Sequence, residues 1–234
     1  MPGAWTYAPN PPYVTGDSYI VSARAVDNAG NLQDVFTTGT SSNTFTYNTA
    51  VPTLAITYPA QPRHRDLAIL SGTATDAIPT SLAQVQVRVR RLSAPARYAD
   101  PLGAGAFNIL VANADTAWYT AASISAPLWT GWTLSSGLPF VSSEQYSIEA
   151  RALNQAGTYS TTYSTRTLIY DTNPPLTTVL LPVTQSTVSA LPQLTGDSND
   201  QPPANGGLVS DIRLRLVRLT DGFFWTGSGW SGPS

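Results

Sequence analysis

Residues 83–92, AQVQVRVRRL, alternate strictly: Val85, Val87 and Val89 fall on one side, Gln86, Arg88 and Arg90 on the other. Residues 18–26, SYIVSARAV, set Tyr19, Val21, Ala23 and Ala25 against Ile20, Ser22, Arg24 and Val26 in the same way. A period of two predicts strands with one buried and one wet face. TLAITY (53–58) and TTVLL (177–181) are short runs rich in β-branched residues, each ending at a proline. Helix signals are missing, and 19 Pro and 17 Gly punctuate the chain at short intervals. Several short strands per unit of this kind predict an all-β fold built of sandwiches.

The pattern is written more than once. Residues 19–31, YIVSARAVDNAGN, return at 146–158 as YSIEARALNQAGT, and Trp5 and Trp132 each stand fourteen residues before the tyrosine. YNTAVPTLAITYP (47–59) returns as YDTNPPLTTVLLP (170–182), LSGTATD (70–76) as LTGDSND (194–200), and VQVRVRRL (85–92) as IRLRLVRL (212–219). The period, 123 to 127 residues, is that of a domain and not of a solenoid unit. The linkers Thr49–Pro52 and Thr172–Pro175 mark boundaries, because proline stiffens a junction and cannot extend a ladder. The expected organisation is the later half of one module (1–48), a complete module (49–171) and the earlier half of a third (172–234).

Composition removes whole classes of chemistry. With no Cys there are no disulfides, thiol nucleophiles or cysteine-ligated zinc. All 12 basic residues are Arg, so Schiff bases, a P-loop lysine and Lys–Asn crosslinks are excluded. A lone His64 allows no multi-histidine metal site. A net charge of −2 and a pI near 5.2 argue against nucleic acid as a partner, since phosphate neutralisation supplies most of such affinity. The stripe Arg88, Arg90, Arg213, Arg215 and Arg218 is read instead as a solubilising wet face. No apolar run is long enough to span a membrane, and the first ten residues carry no signal-peptide pattern.

The tyrosine strand with its turn, and the linker DTNPP at 171–175, resemble bacterial immunoglobulin-like repeat modules of large multi-repeat surface and adhesin-type proteins. The resemblance implies tandem immunoglobulin-like sandwiches, one complete and two partial, at the cell surface or outside the cell. It also implies a tyrosine-corner role for Tyr19 and Tyr146, whose hydroxyls would tie a loop to the strand, and a chain-reversing role for Gly30 and Gly157. Asn48 stands where the second linker has Asp171, and NQAGT replaces DNAGN in the second turn, which puts a shared ion site in doubt.

Two candidate sites are open at this point. Asp27 and Asn31, with Asp76 or Asp171, offer oxygen ligands for Ca²⁺ at the joints between modules; the same turn residues are also those that bond their own backbone. LWTGW (128–132) and FFWTGSGW (223–230) place Trp129, Trp132, Trp225 and Trp230 in Gly- and Thr-rich loops, either as platforms for a cell-surface glycan or as caps on the core. An enzyme is not expected: His64 lies near Asp66, but no G-x-S-x-G elbow exists, and Glu144 and Glu149 are the only glutamates, with Glu149 expected to face outward. The expected function is a structural or adhesive extracellular segment, a rod or filament of modules. Its partners are neighbouring modules of the same or another copy, joined head to tail by strand complementation between half-modules. A carbohydrate-binding module is the alternative.

Overall fold

The computed structural model describes residues 4–8, 11–200 and 209–232. Its described part is strands and loops apart from a short 3-10 helix, Val111–Thr116. The chain forms two compact units, residues 1–140 with 144–170, and residues 141–143 with 171–234.

The first unit begins with an antiparallel pair, β1 (Ser18–Ser22) and β2 (Ser42–Thr46), in which Tyr19 faces Phe45. A sandwich follows, made from β3 (Thr53–Tyr58), β4 (Arg63–His64), β5 (Ile69–Thr75), β6 (Leu82–Arg91), β7 (Arg97–Ala99) and β8 (Phe107–Leu110). It is completed by β9 (Tyr119–Thr120), β10 (Ala122–Ser123), β11 (Trp132–Ser135), β12 (Gln145–Asn154) and β13 (Ser164–Tyr170). One sheet runs β10-β11-β5-β3; the other runs β4-β13-β12-β6-β7-β8, with β9 also on β6. The alternation of β6 and β12 does what period two requires. Val85, Val87 and Val89 meet Tyr146, Ile148 and Ala150 on the inner face, over Ile56, Leu70 and Trp132 of the other sheet, all fully or almost fully buried. Burying each of the Val, Ile and Leu side chains among them stabilises the fold by about 1.5–3 kcal/mol.

The outer face of β6 and β12 is not the wet face that its arginines predict. The excursion 97–120 lies across it, and Arg88 is only 8% exposed. Its guanidinium sits 4.4 Å from the Trp118 ring and 5.0 Å from Tyr98, while Nε donates to Glu149 Oε2 at 2.5 Å. Glu149 is therefore turned to Arg88 across the ladder and not simply outward. Alternation reports that a strand has two kinds of face; it does not report that a later segment will cover the polar one.

The second unit contains β14 (Leu176–Leu181) paired with β15 (Thr195–Asn199), and a separate sheet β16 (Val217–Arg218), β17 (Phe223–Trp225), β18 (Trp230–Ser231). β14 and β15 reproduce β3 and β5 residue by residue. Thr53↔Thr75, Ile56↔Gly72 and Tyr58↔Ser71, with a bulge before the last, become Leu176↔Asn199, Val179↔Gly196 and Leu181↔Thr195 with the bulge at the same place. Burial is not reproduced: every residue of β14 is exposed. Likewise Val21 is about half exposed, and Tyr19 and Ala23 only half-buried, where the alternation predicts buried positions. The pattern marks a core-facing side, but among the described residues no second sheet lies over it.

Gly72 is required by close approach, since a Cβ there would overlap the Ala55 carbonyl oxygen and the Trp132 ring. Gly157 is required only by its positive φ of +82°, with open space around it. Gly72→Ala is expected to lower the unfolding free energy by about 2–3 kcal/mol, and Gly157→Ala by about 1 kcal/mol. Denaturant unfolding of the two variants measures the difference, and equal losses would contradict this assignment.

Candidate functional site

The joint between residues 1–48 and the sandwich is held by buried polar side chains, because a linker crossing the end of a sandwich must satisfy its own backbone. Asp76, buried at the end of β5, accepts from Asn154 Nδ2 at 3.0 Å and from Asn48 Nδ2 at 3.4 Å. Asn48 Nδ2 also reaches Ser81 Oγ at 3.2 Å, and Asn154 Nδ2 donates to the Ala50 carbonyl at 2.9 Å. Burial works to raise the Asp76 pKa, but hydrogen bonds from Asn154, Ser81, Asn48 and the Ala77 backbone together hold it below the usual carboxylate value. Thr49 N–H donates to Thr15 Oγ1 and closes the linker on its other side. Beside this joint, Thr46, Asn48, Ile78, Thr80, Ser81 and Gln155 line an open groove of about 310 Å³.

Asp27 and Asn31 are bonded to each other within their own turn. Asp27 Oδ1 accepts from the backbone of Ala29 and Asn31, both at 2.9 Å, and Oδ2 from Asn31 Nδ2 at 2.8 Å. These bonds, the Asn31 side chain first, keep the Asp27 carboxyl acidic. Asn154 occupies the repeat position of Asp27 and does the same work, with Oδ1 accepting from Thr158 N–H at 2.9 Å, while its free amide serves Asp76. Gly30 and Gly157 both turn the chain with positive φ, +86° and +82°, and donate to Asp27 and Asn154 carbonyls. Asp171 belongs to the second unit, where Oδ1 accepts from Asn173 N–H at 3.1 Å and Ser142 Oγ at 3.4 Å. Among the described residues no group of three or more His, Asp or Glu side chains is arranged to hold a metal ion.

The tyrosines and tryptophans divide by environment. Tyr19 Oη accepts from Val14 N–H at 2.9 Å, five residues upstream. Tyr146 is fully buried, its ring 4.9 Å edge-on from Phe140. Trp132 is no platform: it is wholly buried, and Nε1 donates to the Thr73 carbonyl at 3.2 Å. A ring with no exposed face cannot stack a sugar. Trp129 is half-buried against the same core. Trp225 and Trp230, at 45% and 38% exposure, form a T-shaped pair with centroids 5.6 Å apart. Arg218 lies over Trp230 at 5.0 Å and is held by Asp221.

The residues considered for catalysis have structural partners. His64 Nε2 accepts from Gln61 N–H at 3.1 Å with its ring against Tyr58, the Tyr58 hydroxyl donates to the Asp66 carbonyl at 3.0 Å, and Glu144 accepts from Ser93. Asn48, Asn154 and Trp118 were not legible as structural centres. The available signals were that Asn154 stands at the repeat position of Asp27 and Asn48 at that of Asp171. Among the described residues no helix is long and apolar enough to cross a membrane.

No family model matches the chain, and no curated protein matches it either. Among solved structures it is similar to a tetra-tandem repeat in the extending region of a large adhesion protein, at 20% identity and a TM-score of 0.34. That match covers 74% of this chain and only 37% of the other. The all-β assignment stands on the strand pairing itself.

Because the folded Asp76 carboxyl is more acidic than in the unfolded chain, the unfolded state takes up more protons in acid. This contribution to stability is complete above the ordinary carboxylate range and is lost as the pH falls through and below it. Asp76→Ala is expected to cost about 1–3 kcal/mol at neutral pH by stranding its donors, and to lessen the loss of stability on acidification. Urea unfolding at pH 7 and at about pH 3 measures both, and an unchanged acid sensitivity would count against the joint.

Proposed function

We propose that the chain is a segment of an extracellular, adhesive or load-bearing rod of immunoglobulin-like modules in series, with each half-module completed by a neighbouring one. The observation that carries this is the reuse of one strand pairing: β14 and β15 repeat the register and bulge of β3 and β5, yet their apolar faces are uncovered. The strand order supports it, since β3, β5 and β11 lie on one sheet and β6, β12 and β13 on the other, as A, B, E and C, F, G do in the immunoglobulin scheme. A half sandwich exposes edges and apolar faces that favour strand addition. An extracellular location fits a lysine-free, weakly charged, Thr-rich surface. On this reading the chain carries load or adheres and catalyses nothing.

Light scattering on the isolated chain across a dilution series tests the completion of half-modules by neighbours. Concentration-dependent association is expected, and a monodisperse monomer at every concentration would exclude it.

A second reading rests on the exposed Trp225 and Trp230 pair beside Arg218, which has the shape of a sugar-stacking platform. A glycan array is expected to show binding that Trp225→Ala abolishes. Binding that survives this substitution would assign the signal elsewhere.

A further inference from the structure

The outer face of β12 carries an arginine that is packed and oriented but has no acid. Arg151 is partly exposed, with its guanidinium carbon 4.1 Å from the Trp118 ring and 4.4 Å from the Tyr159 ring. Nε donates to Gln86 Oε1 at 2.7 Å across the ladder, in the pair Arg151↔Gln86. Rings cover the faces of a guanidinium and leave open its edge, where the N–H groups point. Among the described residues Nη1 and Nη2 have no acceptor, and no carboxylate lies within ion-pair distance of Arg151. Glu149, on the same face of β12, is already joined to Arg88. Trp118 Nε1 is also buried without a partner, so the cluster holds more donors than acceptors.

We infer that the Arg151 fork binds the carboxylate of an acidic sugar, whose ring lies against Tyr159 and Tyr163. The site lies wholly within the sandwich and does not depend on the completion of half-modules. Arg88 shows what a finished arginine looks like on this face. It packs on the same indole at 4.4 Å, but its Nε donates to Glu149 and its Nη1 to the Ala114 carbonyl. Arg151 is the same construction with its fork unfilled.

The chemistry of the ligand follows in two steps. A planar pair of parallel N–H donors matches the two oxygens of a carboxylate. Because Glu149 neutralises Arg88, Arg151 brings a single uncompensated positive charge, which a monoanion balances and a phosphate dianion exceeds. The rim selects the carrier. Tyr159 and Tyr163 are 41% and 42% exposed, and Tyr163 stands edge-on to Trp118 with centroids 5.3 Å apart. An aromatic face with a hydroxyl at its edge suits the C–H face and hydroxyls of a pyranose. A peptide carboxylate would fill the fork without needing either ring. The two rings and Gln86 already hold the arginine, so little rotamer freedom is lost on binding.

Glucuronate, glucose and N-acetylalanine, titrated into the full chain and followed through the arginine Nε–H signals by NMR, test this. Glucuronate is expected to shift the Arg151 signal and to bind about tenfold more tightly than either of the others. Arg151→Gln is expected to abolish binding. Arg151→Lys, which keeps the charge but neither fork nor stack, is expected to weaken it about tenfold. Tyr159→Ala removes an exposed ring and is expected to weaken binding roughly three- to tenfold, which keeps the test open if Arg151→Gln lowers the urea midpoint. Trp225→Ala is expected to leave glucuronate binding unchanged. Glucuronate binding that is absent, that survives Arg151→Gln or that Trp225→Ala abolishes overturns the inference. N-acetylalanine binding as tightly as glucuronate overturns the sugar and assigns the fork to a peptide carboxylate.

Discussion

The first unit depends on the ladder between β6 and β12. It runs from Tyr146↔Arg91 to Asn154↔Leu82, and each of its two faces has a different cover. Inside, Val85, Val87 and Val89 with Ile148 and Ala150 form a wall that the other sheet closes. Outside, Arg88 joins Glu149 across the ladder and is enclosed by aromatic rings. A charged pair taken out of water is stable only with good geometry and further partners. The second bond from Arg88 Nη1 to the Ala114 carbonyl, at 3.2 Å, supplies one. On the inner side Tyr119, opposite Val87 and packed against the core, has its phenol pushed up to about 12 by burial, with the Asp100 charge second.

Without that ladder the same sequences behave differently. Strand β14 has the pairing geometry of β3 and none of its burial, and Trp5 is open where Trp132 is sealed. Local residue choice therefore sets hairpin register and bulge position, as the duplicated Gly72 and Gly196 demonstrate. Burial comes from elsewhere in the module. A strand can be correctly written and still have nothing to pack on.

This separation explains which features could be read from the chain. The strand class, the inner faces of β6 and β12 and the repeat frame follow from period-two alternation and self-similarity, both local signals. The cover over Arg88 was not legible, because residues 97–120 have no alternation and act through distant contacts with Trp118 and Tyr98. Trp132 illustrates the same limit. Its Gly- and Thr-rich surroundings suggest an exposed loop, whereas the glycine that decides its fate, Gly72, lies sixty residues away in sequence. The turn at Asp27 was readable as a turn because Asp, Asn and Gly there bond locally.

The two linkers show how one substitution changes the chemistry of a joint. Asn48 brings an amide to Asp76, so the first joint closes by hydrogen bonds between a single buried carboxylate and neutral donors. Asp171 in the same repeat position brings a second carboxylate, and Asp200 replaces Asp76. Asp171 is bonded to Ser142 and to the Asn173 backbone. An Asn at the first position removes one negative charge from a buried cluster, which otherwise needs a compensating positive group. The asymmetry between DNAGN and NQAGT follows the same logic. Asn154 keeps the acceptor that Asp27 provides to the turn and adds a donor for Asp76, a double duty that a carboxylate at that position cannot perform.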